Sequence, residues 1–398
     1  MREIVEQYLK NYLPRREIIH RLPVSMPISK VWPELQQARK EISEKLPLSA
    51  MDGSAFWWVL TDHIIEESEK VLALARRELI FDRPEYQAAF EEAVLDEAVY
   101  SSVIEGAFTT RKEAQAFIRE GRTPKNKSEQ MVKNNYEALT YVLENIDAPI
   151  TKETIFQIYL LVTKDTLEEP AASDRYRDEP AFVRSQRGEI VHTAPRAEQV
   201  PQMMDALVAF IADSELSPLI KACVAHFYFV YVHPFIDGNG RTARALSYMI
   251  LLQAGYDFFR YFSISSVIAE ERSKYYKAIK DVEDDGFDMT HFIDYYIGML
   301  ARAVKKMEDR LVNKVVMEER CNQLKASGAN ERLLAGAEWL LKSPNSSVTI
   351  KAWEKKFGVV TETARQDLFK LEEAGIVKRK LVKRRYEFEV LKLADKLL

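Results

Sequence analysis

The sequence predicts a mainly α-helical protein with one β-hairpin and a smaller C-terminal module in which helices and strands mix. Only 13 glycines are spread over its 398 residues, and apolar residues mostly recur at three- and four-residue spacing, the period of an amphipathic helix. Because 47% of the residues are hydrophobic, the chain can bury a sizeable core and is neither disordered nor fibrous. At about 100 to 200 residues per domain, we expect two or three domains.

The helical pattern is interrupted by a predicted β-hairpin. Ala181–Arg184 and Glu189–His192 are strand-like runs on either side of Ser185–Gly188, whose glycine allows a tight reversal. A lone hairpin is only marginally stable in water. We therefore expect it either to pack on helices as a connector or to pair with a segment that arrives from outside. The predicted helices are Trp57–Leu79, Tyr86–Glu105, Gln130–Asn145, Lys152–Thr163, Val200–Ile211 and Leu216–Val232.

Around the turn cluster Ser343–Ser347 the sequence changes to a compact module. Its basic run Lys378–Lys380 leads to the strand-like Tyr386–Val390. The order helix, helix, turn, helix and basic hairpin predicts a winged helix-turn-helix. Its predicted helices are Glu331–Leu341, Ile350–Phe357 and Glu362–Ala374. The side chains expected to face solvent or a DNA groove are Thr361, Thr363, Arg365, Gln366 and Lys370.

The charge is divided unevenly along the chain. The formal net charge of -4 argues against a protein that coats nucleic acid or an anionic membrane along its whole length. Residues 325–398 carry 16 Lys and Arg against 10 Asp and Glu, a balance of +6, which leaves -10 for the preceding residues. The acidic and basic parts are therefore expected to have different roles, and a local basic DNA-binding region at the C-terminal end is compatible with this distribution.

The cysteine content and the hydropathy of the sequence indicate in which cellular compartment the protein is expected. Cys223 and Cys321 are the only cysteines, which argues against a disulfide framework or a cysteine-based zinc site. Residues 1–16 lack the uninterrupted apolar block of a signal peptide. No segment reaches the roughly 18 consecutive apolar residues that a spanning helix needs. We expect a cytoplasmic protein that does not associate with a membrane.

The most informative segment is His233–Arg244, with the sequence HPFIDGNGRTAR. An apolar helix leads into it, Pro234 prevents simple continuation, and a second apolar helix leads out. Gly238 and Gly240 flank Asn239 at a helix N-terminus, where backbone N–H groups form a concavity for an anion. Arg241 and Arg244 are three residues apart and therefore share a helix face. Phosphate is the expected anion.

Two further side chains complete this cluster. Asp237 supplies a carboxylate oxygen of the kind that Mg²⁺ prefers when it also binds substrate phosphates. His233 is the only side chain there that can accept a proton near neutral pH. A lone histidine is usually structural, and so is a Gly-Asn-Gly turn. Base, metal ligand, anion nest and two arginines within one short segment indicate a site that processes phosphate groups.

This segment resembles the signature of the Fic family, HPFx(D/E)GNGRxxR, at every defined position, and the resemblance extends over about Tyr86–Tyr296. It implies a Fic-type helical bundle that transfers AMP from ATP to a Ser, Thr or Tyr hydroxyl of a target protein or of the protein itself. Gly240 stands where the phosphorylating Doc-like branch has lysine, so AMP transfer is favoured.

The resemblance also implies a role for each residue of the segment. His233 would be the general base, and Asp237 would hold Mg²⁺ against the α- and β-phosphates. Phe235 would anchor the loop in the core. The remaining residues would bind the nucleotide: Gly238, Asn239 and Gly240 would cradle the phosphates, Arg241 would grip them, and Arg244 would hold the γ-phosphate.

The same resemblance implies a function for the hairpin. In Fic proteins an equivalent flap lies over the active site and pairs with the backbone of the target, which presents a hydroxyl to the histidine. The residues expected to dock a target are Val183, Ile190, Val191 and His192.

Ser101–Gly106 ends a predicted helix, with Gly106 placed as its C-terminal cap. Glu105 lies in the last turn, where the helix dipole disfavours a carboxylate. It is either a tolerated surface residue or the partner of a cation. The stretch, with Ser101 as its first residue, resembles the Fic inhibitory motif (S/T)xxxE(G/N). The resemblance implies that Glu105 pairs with Arg244 and blocks placement of the γ-phosphate, so that the protein is largely autoinhibited.

These expectations divide the chain into an N-terminal helical region (1–85), a catalytic domain (86–300) whose inhibitory helix spans about 86–106, a linker helix (301–329) and a winged helix-turn-helix domain (330–398). The leading hypothesis is a protein adenylyltransferase that uses ATP and Mg²⁺. Two alternatives stay open: a DNA-binding transcriptional regulator with a Fic sensor domain, and an enzyme that mainly removes AMP. A homodimer is the default oligomeric expectation.

Overall fold

The computed structural model describes residues 1–75, 85–167, 175–184, 190–341, 347–382 and 385–391. The described chain is mainly helical with small antiparallel sheets, as the sequence predicts. It divides into two compact units, Met1–Val304 and Lys305–Leu398. No described helix is both long enough and apolar enough to cross a bilayer.

The N-terminal part of the first unit contains a β-hairpin that the sequence analysis did not anticipate. Strand β1 (Glu44–Ser49) pairs antiparallel with β2 (Ala55–Trp58). The prediction of one helix over Trp57–Leu79 was therefore wrong at its start. Tertiary hydrogen bonds decide this: the Trp57 N–H donates to the Phe287 carbonyl (3.2 Å), and the Met289 N–H donates to the Trp57 carbonyl (2.8 Å). The helices of this part are α1 (Arg2–Lys10), α2 (Arg15–Ile18), α3 (Ile28–Glu41) and α4 (Asp62–Ala75).

The body of the first unit is built around two central helices, α10 (Pro218–Val232) and α11 (Asn239–Gln253). All side chains from Ala222 to Val232 are buried, because this run is apolar around the whole helix and needs neighbours on every side. The chain between these two helices therefore lies at a rigid position. The surrounding helices are α5 (Glu85–Ile104), α6 (Arg111–Glu120), α7 (Lys127–Glu144), α8 (Lys152–Thr163), α9 (Val200–Asp213), α12 (Ile264–Glu270), α13 (Arg272–Asp284) and the part of α14 (Thr290–Ala326) up to Val304.

The predicted hairpin of the catalytic region is present as β3 (Phe182–Arg184) and β4 (Ile190–Thr193), paired antiparallel. Phe182 lies opposite Thr193, and Val183 lies opposite His192. The predicted turn Ser185–Gly188 lies outside the described residues. The expectation that this hairpin is alone among helices was wrong, since β1 and β2 form a second one.

The second unit has the order of elements that the sequence predicts. Helices α15 (Glu331–Leu341), α16 (Ile350–Phe357) and α17 (Thr361–Glu373) are followed by the hairpin β6 (Val377–Val382) and β7 (Arg385–Val390). A short strand β5 (Ser347–Thr349) pairs with β7, which gives the sheet order β5-β7-β6. A Cβ atom on Gly336 would overlap the Trp353 ring, so glycine allows that buried tryptophan to pack against α15. Most of the turn cluster Ser343–Ser347 lies outside the described residues.

Candidate functional site

The site begins where α10 ends at His233. The His233 N–H donates to the Phe229 carbonyl (3.0 Å) and closes the helix. His233 itself adopts a left-handed conformation, with φ +49°. A non-glycine residue in this region costs about 1–3 kcal/mol and persists only where the surroundings fix it. The strained residue turns the chain abruptly into the loop 234–238.

Phe235 and Asn239 hold that loop closed. The Phe235 ring stacks on Tyr159 with centroids 3.7 Å apart and planes within 4°, and only 1% of its surface is exposed. The Asn239 amide donates to the Phe235 carbonyl (2.7 Å), and its Oδ1 accepts from the Phe235 N–H (3.0 Å). Phe235 is thus the anchor that the sequence predicts, and the Asn239 side chain shapes the loop.

Replacement of Phe235 by alanine is expected to lower the free energy of unfolding by about 3–5 kcal/mol, because a fully buried aromatic ring leaves a cavity. Chemical denaturation measures this change. The matched control is Ile236→Ala at the neighbouring position, where 73% of the residue surface is exposed, and it should change the stability by about 0.5 kcal/mol or less. Equal losses in the two variants would show that Phe235 is not the anchor.

The loop leads into the N-terminus of α11, where an anion can bind. Gly238 is the N-cap with φ +79°, and a Cβ atom there would lie 2.6 Å from Thr163 Cγ2. Only glycine satisfies both constraints. The first-turn N–H groups of a helix lack intrahelical acceptors and form the positive end of the helix dipole. Gly238, Asn239 and Gly240 therefore lie where the sequence predicts an anion nest, at the N-terminus of α11.

Arg241 lies beneath this nest and is fully buried. Its Nη1 donates to the Val162 carbonyl, whereas Nε and Nη2 have no hydrogen-bond partner among the described residues. The Asp237 carboxylate lies 3.7 Å from Nη2. Buried donors without acceptors are costly, and an anionic ligand in the nest would supply the missing acceptors.

Arg244 forms the ion pair that the sequence predicts. Its Nη2 lies 2.8 Å from Glu105 Oε1, and Ser101 accepts from Nε through its hydroxyl and from Nη2 through its carbonyl, both at 2.8 Å. Burial lowers the pKa of the Arg244 guanidinium, but the Glu105 carboxylate outweighs burial and leaves this pKa above its usual value. The arginine is therefore charged and is held through Nε and Nη2 by the end of α5, whereas its Nη1 has no hydrogen-bond partner among the described residues.

Glu105 follows the last residue of α5, and Gly106 takes up the reversal with φ +93°. A Cβ atom on Gly240 would overlap the Glu105 carboxylate. The carboxylate therefore lies directly over the first turn of α11, beside the space that an anion would use. A negative ligand bound there would meet the negative Glu105 carboxylate in the same positive region.

His233 has the protonation state that a general base needs. Its Nδ1 lies 3.2 Å from the Val230 carbonyl, and because a carbonyl only accepts, Nδ1 carries the hydrogen. The Nε2 atom consequently holds the lone pair. Burial lowers the pKa of His233 to about 4, so the ring is neutral at physiological pH.

Asp237 lies at the mouth of the site, with 46% of its side chain exposed. Its Oδ1 accepts from the Gly238 N–H at 2.6 Å. No group of three or more His, Cys, Asp or Glu side chains among the described residues could hold a metal ion by itself. One carboxylate beside a phosphate site nevertheless fits Mg²⁺, which is often bound by one or two carboxylates together with substrate phosphates.

The predicted docking residues of the hairpin differ in placement. Half of the Ile190 surface is exposed, as a docking residue requires. His192 is 2% exposed, and its Nε2 lies 2.7 Å from the Tyr231 carbonyl. The His192 side chain faces the core, so the predicted docking role of this residue stays a prediction for its backbone in β4. The backbones of Val183 and Val191 lie in β3 and β4, and their side chains lie outside the described part of the structure.

Sequence reasoning missed Arg177, which is buried against the catalytic loop. Its Nε donates to the His233 carbonyl (2.7 Å), and its backbone N–H donates to the Pro234 carbonyl (2.9 Å). An arginine in a polar loop carries no pattern that distinguishes burial from exposure. Only its tertiary acceptors identify it as part of the site.

Comparison with known proteins shows which proteins part of this chain resembles. A family model described as Fic/DOC matches residues 149–251, which include α10 and the loop. A protein adenylyltransferase Fic from Nematostella vectensis is 30% identical over 208 residues, 50% of this chain and 45% of that protein. The same-named protein of Drosophila willistoni is 43% identical over 67 residues, 17% of this chain and 12% of that protein. The chain thus spans less than half the length of these relatives.

Among solved structures, a Fic family protein from Desulfovibrio desulfuricans G20 aligns with a TM-score of 0.55 at 19% identity. The alignment covers 84% of this chain and 97% of that one. At this identity the likeness concerns the fold.

Proposed function

We propose that this chain, whose residues 149–251 match the Fic/DOC family model, is a protein adenylyltransferase that transfers AMP from ATP to a hydroxyl side chain of a target protein or of itself. The observation that carries the proposal is the pairing of a neutral His233, whose Nε2 holds a lone pair, with an anion nest backed by Arg241. A base and a phosphate site on one short loop are what hydroxyl attack on a phosphate requires.

In the proposed reaction, the target hydroxyl oxygen forms a bond to the α-phosphorus of ATP while the bond from that phosphorus to the bridging oxygen breaks. The hydroxyl proton passes to His233 Nε2, and pyrophosphate leaves. The nest and Arg241 hold the phosphates in line, so most of the catalysis is positioning and charge stabilisation. Mg²⁺, when bound by Asp237 and phosphate oxygens, would neutralise further negative charge.

The test uses the Glu105→Gly protein with ATP that is labelled in either the α- or the γ-phosphate. Label should reach protein only from the α-position, together with release of pyrophosphate. Label from the γ-position would instead identify a kinase. Labelling from neither position, by a folded protein that binds ATP, would contradict the proposal.

We further propose that Glu105 keeps the protein largely inactive. Its carboxylate engages Arg244, the residue that would otherwise bind the γ-phosphate, and it lies over the first turn of α11. ATP bound beside Glu105 would have its terminal phosphate displaced. The second activity that Glu105 suggests is removal of AMP, with the carboxylate orienting a water. Loss of label from modified protein on addition of the native chain, but not of the Glu105→Gly chain, would support it.

The pH dependence of transfer follows from His233. Because the pKa of His233 is lowered to about 4, the ring is already neutral well below the usual histidine value. We expect kcat/KM for transfer to be flat on the acid side down to about pH 5 and to fall only as His233 takes up a proton. An acid limb near pH 6.5 would contradict this, provided that circular dichroism shows the protein folded over the same range.

A DNA-binding role for the second unit is the second candidate. Thr361, Arg365, Gln366 and Lys370 are exposed along α17, as a recognition helix requires. The positive charge of the hairpin β6–β7 is, however, partly neutralised, because Lys378 and Lys380 lie opposite Glu389 and Glu387 on the paired strand. Binding of the full chain to a DNA duplex, measured against salt concentration, tests this role: a negative slope of affinity with salt is expected, and no binding at low salt rejects it.

A further inference from the structure

Both ends of the hairpin β3–β4 are tied to the catalytic loop by one buried guanidinium. Arg177, which precedes β3, donates from Nη1 to the Glu179 carbonyl (2.7 Å) and from Nη2 to the Pro195 carbonyl (2.6 Å). Its Nε donates to the His233 carbonyl. Glu179 lies before the hairpin and Pro195 after it, so a single planar group joins the hairpin's two ends to the residue that acts as the base.

Backbone hydrogen bonds reinforce this junction. The Ala194 N–H donates to the Ala181 carbonyl (3.1 Å), and Arg177 Nη2 also approaches the Val232 carbonyl (3.3 Å). A guanidinium presents donors in a fixed fork, and a lysine ammonium cannot satisfy the same carbonyls in one plane. The position of the hairpin is therefore fixed relative to the left-handed turn at His233.

A second buried side chain, His192, ties the middle of β4 to α10 and α13. Its Nε2 carries a hydrogen, because it lies 2.7 Å from the Tyr231 carbonyl, which only accepts. Its Nδ1 lies 2.6 Å from Glu283 Oε1. The Tyr231 ring packs on the imidazole with centroids 4.8 Å apart.

We propose that Arg177 and His192 are positioning residues that set the height and register of the hairpin over His233 Nε2. The inference rests on the proposed function, because the hairpin would present the target's backbone to the base. With the inward His192 holding β4, the exposed Ile190 and Phe182 lie on the part of the hairpin that is open to a target. Loss of either tie would leave the nucleotide site intact but let the target hydroxyl drift from the base.

The experiment compares full-length proteins in the Glu105→Gly background with a further His192→Ala or Arg177→Lys change. Three quantities are measured: the dissociation constant of ATP, the rate of AMP transfer to protein, and the exchange of backbone amides at residues 190–193. The matched control is His63→Ala, because His63 also pairs with a carboxylate (Nδ1 to Asp294 Oδ1, 2.6 Å) but is exposed and lies outside the hairpin. His192→Gln, which can still donate to the Tyr231 carbonyl, tests for rescue.

We expect His192→Ala and Arg177→Lys to lower transfer at least tenfold and to speed amide exchange in β4, while ATP affinity stays within twofold and His63→Ala changes nothing. His192→Gln should recover part of the transfer. Unchanged exchange in β4, or a loss of ATP affinity that matches the loss of transfer, would overturn the proposal. If the Glu105→Gly parent transfers no AMP, the proposed function fails instead, and the exchange measurement still decides whether the two residues hold the hairpin.

Discussion

Replacement of His233 by alanine in the Glu105→Gly protein is expected to lower the rate of AMP transfer by about 10²–10⁴-fold, the usual contribution of a positioned general acid or base. The physical reason is specific to one atom. Nδ1 is committed to the Val230 carbonyl, so Nε2 is the only ring atom that can take the hydroxyl proton. Single-turnover transfer of α-labelled AMP measures the loss.

Two measurements distinguish a loss in the transfer step from a loss of ATP binding or of stability. ATP should bind the variant with nearly unchanged affinity, because the nest, Arg241 and Arg244 are intact. The midpoint of thermal unfolding should change only slightly. Histidine and alanine are both strained in the left-handed conformation of residue 233, and the smaller side chain leaves no large cavity. Transfer that persists at the parent rate without His233 would exclude it as the base.

The Glu105→Gly change is expected to raise AMP transfer by about ten- to a hundredfold over the native chain, because hydrogen bonds to charged groups are worth about 1.5–3 kcal/mol. The change removes the carboxylate that lies 2.8 Å from Arg244 Nη2 and clears the space over Gly240. Arg244 then has donors free for the γ-phosphate. Labelling of protein at equal enzyme and ATP concentrations measures the gain.

Two graded variants separate charge from shape. Glu105→Gln keeps the volume of the side chain but weakens its hold on Arg244, so it should activate less than glycine. Ser101→Ala removes only the hydroxyl that accepts from Arg244 Nε at 2.8 Å and leaves the ion pair, so it should activate least. Equal activity of the native and Glu105→Gly proteins would refute autoinhibition.

Most of the candidate site is contiguous in sequence, which is why it could be predicted. The loop chemistry of His233–Arg244 follows from local rules: glycine at positive φ, a helix N-terminus and two arginines one turn apart. The ion pair between Glu105 and Arg244 was predicted only through the family resemblance. A carboxylate at the C-terminal end of a helix indicates a cationic partner, but it does not indicate which residue that partner is.

Other parts depended on contacts that no local pattern encodes. The strand at Ala55–Trp58 pairs with β1, and Trp57 forms further hydrogen bonds with residues 286–289, far along the chain. Ile190 and His192 are two residues apart, so a regular strand would place both on one face. Ile190 is nevertheless exposed and His192 buried, at a place where the pairing of β3 and β4 is irregular. Arg177 is a charged loop residue whose buried guanidinium donates hydrogen bonds to carbonyl groups from separate segments.

By itself, the sequence determined the helical class, the order of elements in the C-terminal unit and the chemistry of the loop between α10 and α11, because each depends on spacing within a few turns of chain. The tertiary structure decided which cation Glu105 engages, which nitrogen of His233 is available, and how Arg177 links the ends of the hairpin to the His233 carbonyl. These depend on burial and on hydrogen bonds between distant segments, where removal from water makes each donor and acceptor find a specific partner.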